Sequence, residues 1–295
     1  RVKVLDQMID DEVFSQKAEE LKLKVHSREL EQGIIELQER SFRMDPQTGR
    51  ARSDEEIQKV MRMELDKEGF TETQFRERIT RQLKIRKVQR ELTQAKVRPA
   101  SEDQMQASFK KIKSMVSGST EVIKGLPDFA AQGYMSFAVQ LKDAHAERVR
   151  VSHILIKAPQ GGALVVKTKA LAQARALKKR LEAGENFYEL AQGESEDAES
   201  ASRGGEIGSI LKGWMPPAFE QAAFSLSVGQ VSDPVETDFG FHLIRLQEKK
   251  AAEPLIYSRL KFDIQKFLEN IGFQEELQKL LAQLRSQATI EVKLP

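Results

Sequence analysis

Two histidines and two small polar residues are spaced so that they could share one piece of chemistry. VSHILIK (151–157) sets His153 in an alternating apolar run, on one face with Val149, Val151 and Leu155. FGFHLIRL (239–246) does the same for His242, which shares a face with Ile244 and Leu246. A lone strand histidine is ordinarily a core residue hydrogen-bonded to its neighbours. Two of them, on strands at either end of residues 149–249, suggest a pair. If the strands are neighbours, the imidazoles can bond each other and so fix their tautomers. Thr237, just before the second strand, and Asp197, in the acidic loop SEDAESASRGGEIG (195–208), are natural polar companions. Ile207, Met215, Phe219, Phe239 and Phe241 are candidates to wall an apolar pocket around them.

The bulk composition narrows the chemistry. There is no cysteine, so disulfides, thiolate catalysis and cysteine metal sites are excluded, and the four histidines are too scattered for a zinc site. No metal or other cofactor is expected. GGEIG (204–208) lacks the pattern and the lysine of a phosphate-cradling loop, which argues against ATP. A net charge of +2 gives little reason to expect nucleic acid or an anionic membrane as partner. The basic run TRQLKIRKVQRE (80–91) interleaves its cations with Leu83, Ile85 and Val88, as a solvated face of an amphipathic helix does. No apolar run approaches the ~20 residues of a membrane span. The chain starts Arg-Val-Lys inside an apparent helix, so the natural N-terminus is expected to have been removed.

Residues 1–115 read as helices. Val4, Leu5, Met8, Ile9, Val13, Ala18 and Leu21 form a stripe, and Ser27 is the expected cap of a second helix through Leu37. Capping-box patterns stand at Ser53/Glu56, Thr71/Gln74 and Ser101/Gln104. Phe75, Ile79 and Leu83 mark the buried face of the helix after Thr71, expected to end at Pro99, and 40–52 reads as a loop. Residues 127–147 read as a helix with Phe129, Tyr134 and Phe137. From 149 to 249 the texture is α/β: strand 149–157, helix 167–183 ended by Gly184, a short helix at 187–191, loop 195–208, a Met-Pro-Pro turn, a helix at 219–224, a strand from Pro234 and the closing strand 239–246. A helix follows from 254, and ATIEVKLP (288–295) alternates like a terminal strand. Helices this short cannot bury their stripes alone, so they must pack on each other or on something distant in sequence, and the expected fold class is α+β.

VSHILIK, LAQGESEDAESASRGGEIG, KGWMPPAFEQAAFSL and VGQVSDPVETDFGFHLIRL stand in this order through residues 149–249, which thereby resemble a parvulin-type peptidyl-prolyl isomerase domain. The flanks, LDQMIDDEVFSQKAEELKLKV, GFTETQFRERITRQLKIRKV and LRSQATIEVKLP, resemble secreted chaperones of the SurA and PrsA type. The resemblance implies three regions: an N-terminal helical chaperone region (1–148), the isomerase domain (149–249), and a helix and strand (250–295) that pack back on the first, so that a helical module built from both chain ends carries an inserted parvulin-like α/β domain with a small antiparallel sheet wrapped by helices. It implies that His153 and His242 are the paired core histidines, Thr237 their hydroxyl partner, and Asp197 the acidic group facing substrate. Ile207, Met215 and Phe219 fall on the proline-pocket positions. Pro216 departs from the pattern, because the residue after the pocket methionine usually offers a backbone N–H and proline has none. The loop APQGGALVVKTK carries only Lys167 and Lys169, which argues against phosphate-directed specificity. The implied partners are unfolded or partly folded client polypeptides and proline-containing peptides, in the periplasm or at the extracytoplasmic face of a bacterial envelope. An ATP-independent holdase, its parvulin domain serving as a peptide reader, is the other reading.

Overall fold

The computed structural model describes residues 2–46, 48–158 and 161–291. Two compact units emerge: residues 1–108, 127–133 and 261–295, and residues 109–126 and 134–260. Residues 109–126, 134–148 and 250–260, expected with the helical arms, thus cluster with the sheet.

The first unit is helical and draws on both chain ends. It contains α1 (Val2–Glu20), α2 (Ser27–Phe42), α3 (Asp54–Glu68), α4 (Glu72–Thr93), the start of α5 (Glu102–Val116) and of α6 (Asp128–His145), and most of α10, whose full span is Tyr257–Gln287. Its main core joins Val13, Phe14 and Ala18 of α1 to Ile85 and Val88 of α4 and to Leu280 and Leu284 of α10. Arg285 donates to Asp10 at 2.6 Å and ties the same two ends. α4 and the end of α10 thus cover Val13, Phe14 and Ala18 of the α1 stripe, while Val4 and Met8 stay exposed. A second cluster packs Ile34, Phe75 and Ile79 with Met61 and Leu65.

The capping boxes at Ser53 and Thr71 are formed, with the Glu56 and Gln74 side chains accepting from the cap backbone N–H groups. The cap position of α2 is His26, with Ser27 already in the helix, and α2 runs on to Phe42, five residues past the expected end, so the loop is shorter than 40–52. α4 stops at Thr93, well before Pro99, and tightens into a 3₁₀ turn at Gln94–Lys96. Thr93 is buried and its hydroxyl bonds back to the Gln89 carbonyl, a local bond that competes with the helix ladder. Residues 288–291 form no strand; the rest of the expected terminal strand, 292–295, lies outside the described residues.

The second unit carries a four-stranded antiparallel sheet in the order β2 (Glu206–Leu211), β1 (Arg148–Lys157), β4 (Gly240–Lys250), β3 (Val235–Thr237). β2 corrects the expectation of a loop through Gly208: EIGSIL is short and its glycine, at φ +93°, sits where the register with β1 shifts, so the alternating signal is broken. Side chains alternate across the sheet and divide it into two cores. Ile154, Ile156, Phe241 and Leu243 face α7 (Leu164–Glu182) and α8 (Phe187–Glu194). Val149, Val151, Ile210, Ile244 and Leu246 face α9 (Pro217–Ser225), which supplies Phe219, Ala223 and Phe224. The histidines lie on this second face.

Candidate functional site

β1 and β4 are direct neighbours, with Leu155 opposite His242 and His153 opposite Ile244. The histidines are therefore a diagonal pair on one face of the sheet, close enough for side chains to meet. Their rings stack at 5.3 Å between centroids and 19° between planes, and Nδ1 lies 3.0 Å from Nδ1. Both are buried, at 6% and 5% exposure. Phe219, at 0% exposure, stands edge-on to His242 at 5.3 Å and closes the floor beneath the pair.

Each imidazole meets one further polar group. His242 Nε2 lies 2.7 Å from the Thr237 hydroxyl, which in turn accepts from the Phe239 N–H at 3.2 Å. His153 Nε2 lies 2.8 Å from Asp197 Oδ2 and 3.1 Å from the Ser200 hydroxyl. These partners order the protons. A carboxylate only accepts, so His153 carries its proton on Nε2. With both rings neutral, His153 Nδ1 then accepts from His242 Nδ1–H, leaving His242 Nε2 to accept from Thr237. Four hydrogen bonds run in one direction, from the Phe239 N–H to the Asp197 carboxylate.

Burial holds the His242 imidazole down from 6.5 to about 4, with His153 adding to the depression and Asp197 opposing it. For Asp197 burial pulls upward, but the Ser200 hydroxyl and His153 outweigh it and keep the carboxyl below its usual range. The chain thus ends in a carboxylate with part of its side chain open to solvent.

The loop after α8 is built to deliver that carboxylate. Leu155 N donates to the Ser195 hydroxyl at 3.1 Å, Glu196 N donates to the Leu155 carbonyl at 2.8 Å, and the Glu196 carboxylate takes the Lys157 N–H. Residues 195–196 so continue the edge of β1 that β2 covers only as far as Ser152. His153 N donates to the Gly205 carbonyl at 2.8 Å. Only glycine fits there, since φ is +76° and a Cβ would lie 2.0 Å from the His153 carbonyl oxygen.

Of the expected pocket residues, Ile207 and Met215 are partly buried and pack with Phe219 on the histidine face. The turn before α9 is held by Glu220, whose carboxylate accepts from Gly213 N at 2.6 Å and Met215 N at 2.9 Å. Pro216 caps α9 and Pro217 opens it, where a missing N–H costs nothing. Phe239 lies in the β3–β4 turn, 61% exposed. Phe241 is corrected. It neighbours His242 in the strand and so points to the opposite face, where it is 3% exposed among Ile154, Ile156 and Leu243. Ser200 is the residue that sequence reasoning missed; its only signal was the spacing of Asp197 and Ser200 on one turn. Among the described residues no cluster of His, Asp or Glu could hold a metal ion, and no helix is long and apolar enough to cross a membrane.

This fold and site define a class: residues 153–248 match the family of the PPIC-type PPIase domain, and the chain carries a parvulin-type domain. Among its relatives, the foldase protein PrsA 2 of Bacillus cereus is 36% identical over 154 residues, covering 52% of this chain and 49% of that one. A parvulin-like PPIase of Rickettsia conorii is 38% identical over 152 residues, or 50% and 48% of the two chains. The chain spans about half the length of these curated relatives. The crystal structure of PrsA, a peptidylprolyl isomerase from Bacillus anthracis, is 24% identical, covers 98% of this chain and 100% of that one, and has a TM-score of 0.34.

Proposed function

We propose that this chain is an extracytoplasmic folding factor that binds unfolded or partly folded secreted or outer-membrane polypeptides and speeds cis/trans isomerisation of their X–Pro bonds. The observation that carries the reading is the one-directional chain Thr237–His242–His153–Asp197, set beside the apolar side chains Ile207, Met215 and Phe219 in a PPIC-type domain.

Rotation about an X–Pro bond is opposed by amide resonance, a barrier of roughly 18–20 kcal/mol in ordinary peptides and somewhat labile at proline. Resonance moves negative charge onto the carbonyl oxygen and gives the C–N bond its double character. A fixed carboxylate near that oxygen disfavours the charge-separated form, and an apolar bed for the proline ring does the same. Both effects are relieved as the bond twists, so they act on the transition state rather than on binding. Each ~1.4 kcal/mol of such selectivity is a tenfold rate gain, so a few contacts suffice. No bond is made or broken.

The test is a protease-coupled isomerase assay on a short proline peptide, run beside aggregation suppression of an unfolded protein. Turnover that falls on Asp197→Ala supports the isomerase; a rate equal to the uncatalysed one sinks it. The holdase reading has its own observation in the helical unit, where Leu5, Met8, Ile9 and Ile290 line an open groove between α1 and the segment after α10. Such patches bind non-native chains. If aggregation is suppressed equally by Asp197→Ala and wild-type protein while neither turns over peptide, the holdase is the function.

A further inference from the structure

We propose that Ser200 is a positioning residue for Asp197, holding Oδ2 of its carboxylate against His153 so that the solvent-open part of the group is presented to a bound X–Pro carbonyl; this deepens the isomerase reading and rests on it. Ser200 has no obvious task as a loop residue. It is 3% exposed, in a loop whose neighbours Asp197, Glu199 and Ala201 are less buried. Its hydroxyl lies 2.5 Å from Asp197 Oδ2 and 3.1 Å from His153 Nε2.

Three polar atoms therefore meet in a triangle: one carboxylate oxygen and two groups with a proton to give. The hydroxyl has a single proton, and the carboxylate is its only acceptor in the triangle, since His153 Nε2 carries a proton of its own. Ser200 therefore donates to Oδ2, and Oδ2 receives two donors from different directions. Two charge-assisted donors on Oδ2, with the Glu199 backbone N–H as a weaker third donor to the carboxylate, hold the group more firmly than His153 alone would. The scaffold that aims the hydroxyl is itself tied down. The Ser200 carbonyl accepts from Arg203 N and Gly205 N, both at 2.9 Å, and Ala201 N donates to the Asp197 carbonyl at 2.9 Å. Gly205 is the residue whose carbonyl takes the His153 N–H. Ser200, Asp197 and His153 are thus set by one small hydrogen-bonded loop, and no substrate contact is needed for Ser200 to act.

The experiment compares wild type, Ser200→Ala and Ser200→Thr in the full chain, with two readouts. The first is the titration of the Asp197 carboxyl carbon by NMR, which needs no substrate. The second is the pH profile of kcat/KM on a proline peptide. Ser200→Ala removes a donor to the ionised form while burial remains, so the Asp197 midpoint should rise and the acid limb of the profile should move up with it. The plateau kcat/KM should fall about tenfold, and Ser200→Thr, which keeps the hydroxyl, should restore both. An Asp197 midpoint unchanged in a folded Ser200→Ala protein overturns the proposal, as does an unshifted acid limb. If wild type shows no turnover at all, the isomerase reading falls, and a shifted Asp197 midpoint alone still upholds the hydrogen-bonded placement.

Discussion

The buried pair should make the sheet unit lose stability on mild acidification, and the loss can be worked from His242. Its imidazole titrates at about 4 in the folded chain against 6.5 unfolded. Between those values the unfolded chain binds the extra proton, so stability rises with pH across that window and is fully present above 6.5. It falls as pH drops toward about 4. At about pH 5 the unfolded histidine is almost wholly protonated and the folded one almost wholly neutral. The linkage integral then gives a loss of about 2 kcal/mol relative to about pH 7.5, approaching about 3 kcal/mol by pH 4. Asp197 adds a loss of the same sign only below the unfolded carboxylate value of 3.8, because its folded value is depressed. Urea unfolding followed at the buried methyl groups of Ile154 and Ile244 reads the sheet alone. His242→Gln keeps a donor and an acceptor but does not titrate, so it should start lower and show a flatter profile. A wild-type loss under about 0.5 kcal/mol, or an equal slope in His242→Gln, would refute the assignment of His242 as a buried neutral imidazole.

Three further outcomes follow from the geometry. Asp197→Ala should lower kcat/KM at least tenfold, about 1.4 kcal/mol or more of barrier, with a smaller effect on KM; a protease-coupled assay reads it. Phe219→Ala removes a fully buried ring under both histidines and should cost ~3–5 kcal/mol, whereas Met215→Ala, at a partly buried site, should cost less stability but lower activity per folded molecule. Gly205→Ala forces the loop away from the His153 carbonyl and should reduce both stability and turnover, with the His153 and Asp197 NMR signals displaced; a variant with wild-type spectra would show that the close approach is relaxed without cost.

Much of this site was legible in the chain itself. Period-two alternation put His153 and His242 on strands, and the absence of cysteine excluded thiolate chemistry. Alternation also contained the answer for Phe241: a residue next to His242 must face the other way, and a pocket inferred from nearness in sequence overlooked it. The capping boxes at Ser53 and Thr71 were local, and local chemistry formed them. What only tertiary structure decided is non-local. The strand EIGSIL hides beside glycines whose purpose appears only when β1 lies against them, as the 2.0 Å approach of a Gly205 Cβ to His153 makes plain. Ser200 looked like one serine among several until the loop folded over β1 and brought its hydroxyl between Asp197 and His153. α4 ends at Thr93 and passes into a 3₁₀ turn well before the proline farther on. An amphipathic stripe announces that it needs a partner, but not which one. That α1 finds α4 and the far end of α10 is a choice made by shape and burial among helices whose apolar faces are nearly interchangeable in sequence.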